Sequence, residues 1–595
     1  MSKKQKVSIE VKKGKFPEIL SGYVLPLAFL VFIFFITTFK ISGDDDIFWH
    51  LQVGKYITAN NVIPSTDVFG FVTTGQEWIP FEWGFDALAY NIYSVSGYTG
   101  LSIFRSLIFV GIFFLLYRLS LKLKLDQTIT FFILLLLTAA LFERFLIKPQ
   151  IVSYLFTAIL LYIFLSYSML KREGSRLMYF LPIIFLIWAN MHMGVLSGIV
   201  LFTIFVITEA VGLLKPQFLL NKENPSSRNQ FVKLVMIYAA SVLVLIMNPQ
   251  GMGTYTYVYS HLQMKMMEDV FEWRSPFDKM FEGTMYVYVY YIYLAAALTA
   301  IYYAFRRKDL LSGAIVLIFA VFSTRTARFS IDFMLVTSPF VILALNHFLK
   351  SSSQKKTNST GNTLFARVIP IVLSAVILTG IVLLPGSNLY SIFNYDRITG
   401  FGVDENAYPV KAVNFIKENR IADSKSRPFN TYDCGGYLIW EVNGAKNFID
   451  SRGLNDDIYY SFKSINNKEY GFEKKFDSYR FDYVLWSFPK LPWNNTELKT
   501  SILSYLIKNN ENWKLVYWDD FSFVFVKNNE KYKNVIEQFE FKYANPYYYV
   551  FEKEPLKNAL ATDPQRVTEE IKRNLRLNPD GIFIQAMAKS FNVKL

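Results

Sequence analysis

The sequence is short of the residues that most soluble chemistry relies on. It has 1 cysteine, Cys434, and 4 histidines in 595 residues. One cysteine excludes an intrachain disulfide and a cysteine-rich zinc site, though it says little about compartment. His50, His192 and His261 fall on one side of the chain's apparent topology, but no metal-ligand spacing links them. Also missing are a P-loop, a nucleophile elbow, an HExxH pair and a dinucleotide fingerprint, so the common phosphate, acyl and hydride chemistries lack their usual scaffolds. No repeat or heptad pattern stands out, which leaves out solenoids and coiled coils. Acidic residues are the minority charge, 48 against 62 Lys and Arg, for a net charge of +14.

What the chain does have is apolar sequence in blocks. It is 52% hydrophobic and 17% aromatic, with mean hydropathy +0.24. Segments such as Tyr23 to Phe39 and Val368 to Leu384 are nearly free of charge over about the length that crosses roughly 30 Å of hydrocarbon. The blocks predict about eleven membrane helices, near 20–40, 100–118, 127–143, 150–169, 178–191, 195–213, 232–248, 284–304, 309–324, 329–348 and 364–385. The N-terminal lysines Lys3 to Lys15 resemble a signal-peptide n-region. The apolar run after them is long for an h-region, which predicts a retained first span.

Charge supplies orientation. Every second loop is basic: the N-terminal tail, Arg118 to Lys124, Lys171 to Arg176, Lys215 to Lys233, Arg306 to Lys308 and Lys350 to Lys356. The loop 42–99 instead carries Asp44, Asp45, Asp46, Asp67, Glu77, Glu82 and Asp86 against Lys55. The positive-inside rule puts the N-terminus in the cytoplasm, and an odd span count puts the C-terminal part outside the plasma membrane. The basic excess is thereby accounted for by membrane loops, not by a nucleic-acid partner. The expected organisation is a cytoplasmic tail 1–18, a transmembrane domain 19–386 with its large first outer loop 42–99, an extracytoplasmic α/β domain 387–544 and a helical tail 545–595. In the α/β part, Tyr408 to Asn419 and Leu498 to Lys508 read as helices. Phe448 to Asp450, Tyr483 to Trp486, Lys514 to Tyr517 and Ser522 to Val526 read as strands.

Candidate chemistry gathers in the outer segments. Asp44-Asp45-Asp46 repel one another, and a bound cation relieves that repulsion. The D-x-D pair Asp44 and Asp46 suits Mg²⁺ or Mn²⁺ with oxygen ligands. Glu82, between Phe81 and Trp83, is a further carboxylate for the site. Glu143, Arg144 and Lys148, and likewise Arg325 and Arg328 with Asp332, stand at span ends, where ionisable groups face a cavity or a partner. Outer cations there match an anionic lipid phosphate. In the tail, Tyr432-Asp433-Cys434-Gly435-Gly436 makes a tight turn into a helix. Asp450 and Arg452 form either a functional carboxylate with its partner or a plain ion pair.

Asp46-Ile47-Phe48-Trp49-His50-Leu51, Gly54-Lys55-Tyr56-Ile57, Ile63-Pro64 and Asp67-Val68-Phe69 resemble a D-x-W-W-H-L, G-x-x-I, I-P, D-x-F pattern of bacterial GT-C-like membrane proteins. Trp188 to His192, Asn248 to Gly251, Glu272-Trp273 and Tyr432 to Trp440 fit the same group, over about residues 20 to 530. Phe48 stands where the pattern has its first tryptophan. GT-C proteins include protein mannosyltransferases, aminoarabinose transferases and oligosaccharyltransferase catalytic subunits. The resemblance implies sugar transfer from a polyprenyl-phosphate-linked donor to an extracytoplasmic glycan, lipid or protein acceptor. It puts the base or metal ligand at Asp46, with Asp44 and Glu82 assisting. Trp49, His50, Arg144, Lys148, His192, Arg325, Arg328, Tyr432, Asp433, Asp450 and Arg452 are then the candidate substrate-binding residues. Tyr432 to Tyr437 loosely resembles the W-W-D-Y-G acceptor motif of oligosaccharyltransferases but lacks its paired tryptophans. A non-catalytic GT-C-like scaffold and a lipid-linked-glycan transporter are the alternatives; charges at span ends rather than mid-span disfavour the transporter.

Overall fold

The computed structural model describes residues 24–169, 175–354, 361–488 and 496–594. The basic tail 1–18, part of the basic loop after residue 169 and Lys355-Lys356 lie outside the described residues. The chain forms two compact units that interleave along the sequence. The first takes the N-terminus to Lys40, Ser102–Met247 and Phe271–Phe401; the second takes Ile41–Leu101, Asn248–Val270 and Gly402–Leu595.

The first unit is helical, as apolar runs of span length require when every backbone polar group must be satisfied internally. Seven described helices are long and apolar enough to cross a bilayer: Trp83–Lys122, Gln127–Arg144, Gln150–Met169, Val195–Leu214, Arg228–Ile246, Met285–Arg307 and Ala327–Phe348. A bent pair, Val368–Leu383 and Pro385–Ile392, turns through 99°. Three shorter apolar helices, Leu25–Ile36, Arg176–Ala189 and Leu310–Ser323, occupy the remaining apolar blocks. The chain is therefore a multi-pass membrane protein, and the three short helices are why length alone does not reach eleven spans.

Side-chain caps fix several helix starts by satisfying orphan N–H groups. Asp126 accepts from the Ile129 N–H at 3.1 Å, and Asp309 from the Ser312 N–H at 3.1 Å. The helix Trp83–Lys122 begins well before the apolar run 100–118 that marks its span. Gly97, at φ 60°, breaks it, and the unit boundary falls a few residues later.

The second unit is built on a four-stranded sheet in the order β1-β2-β4-β3. Its strands are β1 (Pro428–Asn430), β2 (Tyr483–Ser487), β3 (Trp513–Trp518) and β4 (Ser522–Lys527). β1 runs parallel to β2, and the β2/β4 and β3/β4 pairs are antiparallel. Burial on both faces explains the unbroken apolar runs of β2 and β4. One core joins Phe429, Val484, Trp486, Trp518 and Phe523 to tail residues such as Val567, Ile571 and Met587, so the helical tail packs into the sheet's core.

Two sequence expectations change here. Phe448 to Asp450 is not a strand. The Phe448 N–H goes to the Asn430 side chain at 2.7 Å rather than to a neighbouring strand, and the outer strand is Pro428–Asn430 instead. The expected helix Leu498 to Lys508 is two short helices, because the Ser501 hydroxyl accepts from the Leu503 N–H and starts a second one.

Candidate functional site

In the second unit, the carboxylates of the first loop open the helix Asp46–Asn60. Carboxylates at this end are favoured by the helix dipole. The Asp46 N–H donates to Asp44 Oδ1 at 3.2 Å. The Tyr408 hydroxyl accepts from the Asp44 N–H at 3.1 Å and donates to its carbonyl at 2.5 Å, pinning the turn. Asp44, Asp45 and Asp46 can each offer one oxygen within 4.8 Å of the others. Asp45 Oδ2 is buried, with the Ser451 hydroxyl beside the carboxyl.

The tail motif joins this cluster. The helix Gly435–Glu441 packs on the helix Asp46–Asn60. A Cβ at Gly436 would come within 3.3 Å of the Asp45 carbonyl oxygen and 3.4 Å of the Trp49 N–H nitrogen. Gly435 is tighter still, since its Cβ would strike the Ile449 carbonyl oxygen. The pair of glycines is thus a close-approach device that brings Tyr432 and Asp433 to the carboxylates. Burial, followed by the charges of Asp46, Asp433 and Asp44, pushes the Asp45 carboxyl well above the usual carboxylate range. Burial and Asp46 raise Asp433 as well, while Asp433 keeps contact with solvent. Burial and the fields of Asp45 and Asp46 raise the Tyr432 phenol. Crowded carboxylates with one solvent-facing member can bind a hard cation or take up a proton.

The neighbouring motif residues support this corner from behind. Trp49 Nε1 donates to Asp46 Oδ1 at 3.2 Å, and its ring packs with Val53, Phe69, Trp78 and Ile439. His50 is buried, with Nδ1 2.5 Å from Asp86 Oδ1 and Nε2 3.9 Å from Glu82 Oε2. Glu82 therefore faces His50 and Asp86. Gly54 lies so close to the Asp86 carbonyl and Tyr90 that a Cβ has no room, which accounts for the glycine of the G-x-x-I element. Asp450 and Arg452 are buried in one ionic network with Asp67. Arg452 Nε donates to both Asp450 oxygens at 2.9 Å, and Nη1 to Asp67 Oδ1 at 2.7 Å. Burial alone would raise Asp67; the Arg452 guanidinium and the Thr73 and Phe69 hydrogen bonds hold it down at about 2.

The first unit holds a separate cluster made from helix ends. Arg144 closes the helix Gln127–Arg144, Lys148 lies in the break that Pro149 ends, and Gln150 opens the next helix. Arg144 pairs with Glu272, and Lys148 Nζ lies 4.0 Å from the same Glu272 oxygen. Burial opposes ionisation of Glu272, but Arg144, Lys148 and Arg328 together hold its carboxyl well below the usual range. Arg328 is fixed on three sides. Its guanidinium lies over Trp273 at 5.3 Å, and Nη2 is 3.1 Å from His192 Nε2. The Gln150 amide, with its oxygen toward Arg328, accepts from Nε and Nη2 at 2.8 Å each. His192 Nδ1 is 2.6 Å from Ser153 Oγ, which also accepts from Trp188 Nε1 at 2.6 Å. Arg325 is exposed.

Of the residues singled out from sequence, the structure groups Asp44, Asp46, Trp49, Tyr432 and Asp433 in one cluster. It groups Arg144, Lys148, His192 and Arg328 in another, and ties Asp450 to Arg452. Sequence reasoning gave no role to Gln150, Ser153, Asp86 or Tyr408. Asp86 carried a signal, being one helical turn from Glu82; the others carried none.

No family profile matches the chain, and no curated protein matches it. Among solved structures it is similar to the apo oligosaccharyltransferase of Archaeoglobus fulgidus, at 13% identity over 77% of this chain and 69% of that one, with TM-score 0.49. It is also similar to ArnT from Cupriavidus metallidurans bound to undecaprenyl phosphate, at 13% identity over 85% and 98%, with TM-score 0.46. That likeness stands at 13% identity and a TM-score under 0.5 in both cases. At these values it fixes no activity for this chain.

Proposed function

We propose that the protein transfers a sugar from a polyprenyl-phosphate-linked donor to an acceptor outside the cytoplasm. The observation that carries this reading is the meeting of Asp44, Asp45 and Asp46 with Tyr432 and Asp433 in the second unit. Sugar transfer needs a base for the acceptor hydroxyl, and Asp46 takes that role. Asp44, with Asp46, holds a divalent ion such as Mg²⁺ or Mn²⁺; three carboxylate oxygens within 4.8 Å of one another fit such an ion. When bound, the ion would offset the carboxylate repulsion and orient the acceptor oxygen. Tyr432 and Asp433 contact the acceptor.

Arg144, Lys148 and Arg328 neutralise the phosphate as it leaves, the charge-assisted contact such groups make best. Trp49, His50, Asp450 and Arg452 act indirectly, by holding the helix Asp46–Asn60 and the segment after Asn447 in place. The N-terminus is cytoplasmic and the sheet unit extracytoplasmic, as the basic loops require.

Mass spectrometry of surface glycans from a deletion strain tests the reading. Loss of one sugar residue, with accumulation of the unmodified acceptor, is the expected result. A glycan profile identical to the parent's would refute it and leave the scaffold alternative.

A further inference from the structure

The cation cluster of the first unit contains its own anion. Glu272 sits on the short 3-10 turn Phe271–Trp273. A single carboxylate oxygen, Oε1, serves both Arg144 and Lys148. Its side chain is 13% exposed, so solvent reaches a carboxylate held by the buried Arg144 and the half-buried Lys148. A phosphate presents the same kind of ligand, a charged oxygen that accepts from guanidinium and ammonium N–H groups, with more charge and more oxygens. Arg328 differs from Arg144 in being held by the Gln150 amide and the Trp273 ring, while Glu272 and Asp332 act on it through their charge. Its guanidinium is therefore anchored by contacts other than Glu272.

We infer that Glu272 is an internal stand-in for the donor phosphate, occupying the Arg144 and Lys148 donors until a lipid phosphate displaces it. This rests on the reading that those two cations take the phosphate. Glu272 then has two consequences. It is the anion bonded directly to the buried Arg144 in the lipid-free protein, beside the more distant charges of Glu143 and Asp332. It also lowers affinity for the donor and the spent lipid, because each must compete with it, and this favours release of the charged product.

The test uses the full chain in nanodiscs and three probes: undecaprenyl phosphate, undecaprenol and inorganic phosphate. Glu272→Gln removes the competing charge and keeps the side chain's size. It is expected to bind undecaprenyl phosphate at least about tenfold tighter than wild type, the low end of coupling for a close charge pair. Undecaprenol binding is expected not to change. Glu272→Asp, which keeps the charge on a shorter stem, gives a smaller gain in the same direction and decides the matter if Glu272→Gln does not insert. Arg144→Gln is expected to lose phosphate binding.

Unchanged or weaker undecaprenyl phosphate binding by both Glu272 variants, with loss in Arg144→Gln, overturns the stand-in and leaves the cation site. Wild-type binding by Arg144→Gln instead overturns the reading of the site itself. A Glu272-dependent gain for inorganic phosphate equal to that for the lipid supports the stand-in and names free phosphate as the ligand.

Discussion

Arg452 offers the sharpest test of how the second unit is held together. Replacing it with Met keeps the apolar stem and removes a guanidinium bonded to Asp450 at 2.9 Å and to Asp67 at 2.7 Å. Both carboxylates are then buried without their cation, at 4% and 0% exposure. Breaking a buried pair from one side costs about 3–5 kcal/mol. The lower end applies here. Asp67 keeps the Phe69 and Gly70 N–H groups and the Thr73 hydroxyl, and Asp450 keeps Asn447 and the residue 452 N–H.

About 3 kcal/mol is roughly a 100-fold loss of hydrogen-exchange protection where exchange follows opening of the unit. The assay is exchange mass spectrometry of the whole protein in nanodiscs, read on peptides covering residues 65–75 and 447–455. pH adds a second readout. Asp67 stands near 3.8 when exposed and at about 2 when folded. Its stabilising contribution is complete above about pH 4 and is lost as pH falls toward 2; the difference is worth about 2 kcal/mol. In Arg452→Met the main downward pull is absent, so protection starts to fall at a higher pH. Protection within threefold of wild type, with the same acid profile, would refute the network as the support of this segment.

Gly435→Ala is expected to destabilise the second unit by about 1–3 kcal/mol, because its Cβ meets the Ile449 carbonyl oxygen, which cannot withdraw; thermal unfolding of the purified protein checks it. Mn²⁺ is expected to raise the wild-type melting temperature in proportion to the logarithm of its concentration, and a double Asp44→Asn, Asp46→Asn variant to show no shift. Equal shifts in both would remove the metal assignment. Arg328→Lys keeps the charge but loses the paired bonds to Gln150 and the guanidinium contact over Trp273. Glycan transfer is expected to drop at least about tenfold while insertion is unchanged; wild-type transfer would count against a fixed guanidinium.

The fold's helical part was legible because apolar length is a direct physical requirement of the bilayer. The runs at 150–169, 195–213 and 284–304 coincide with Gln150–Met169, Val195–Leu214 and Met285–Arg307 to within three residues. Strands β2, β3 and β4 were legible from β-branched and aromatic runs. β1 was not, since Pro428–Asn430 is three residues long with no alternation to read. The interleaving of the two units was also beyond the sequence. It depends on long-range contacts such as Arg452 with Asp67, 385 residues apart in the chain, and no local pattern encodes a partner at that distance.

The acidic triplet and the Tyr432-Asp433 motif each stood out alone, and the glycines hinted at close packing without saying against what. His50 shows the limit of residue type. It looked like a ligand-facing histidine, yet it is buried against Asp86 on a neighbouring helix. Gln150 had no signal at all, because its role depends on where Arg328 comes to rest.

Complementation of the deletion strain with Asp46→Asn tests the central claim most directly. Asn keeps the side chain's shape and its acceptor toward Trp49, and removes the charge and basicity on which both the base and the metal-ligand role depend. If Asp46 is the base, the inserted variant restores transfer at about one-hundredth of the wild-type rate or less, and the missing sugar stays missing by mass spectrometry. Full restoration of the glycan by a variant present at wild-type level in the membrane contradicts the account.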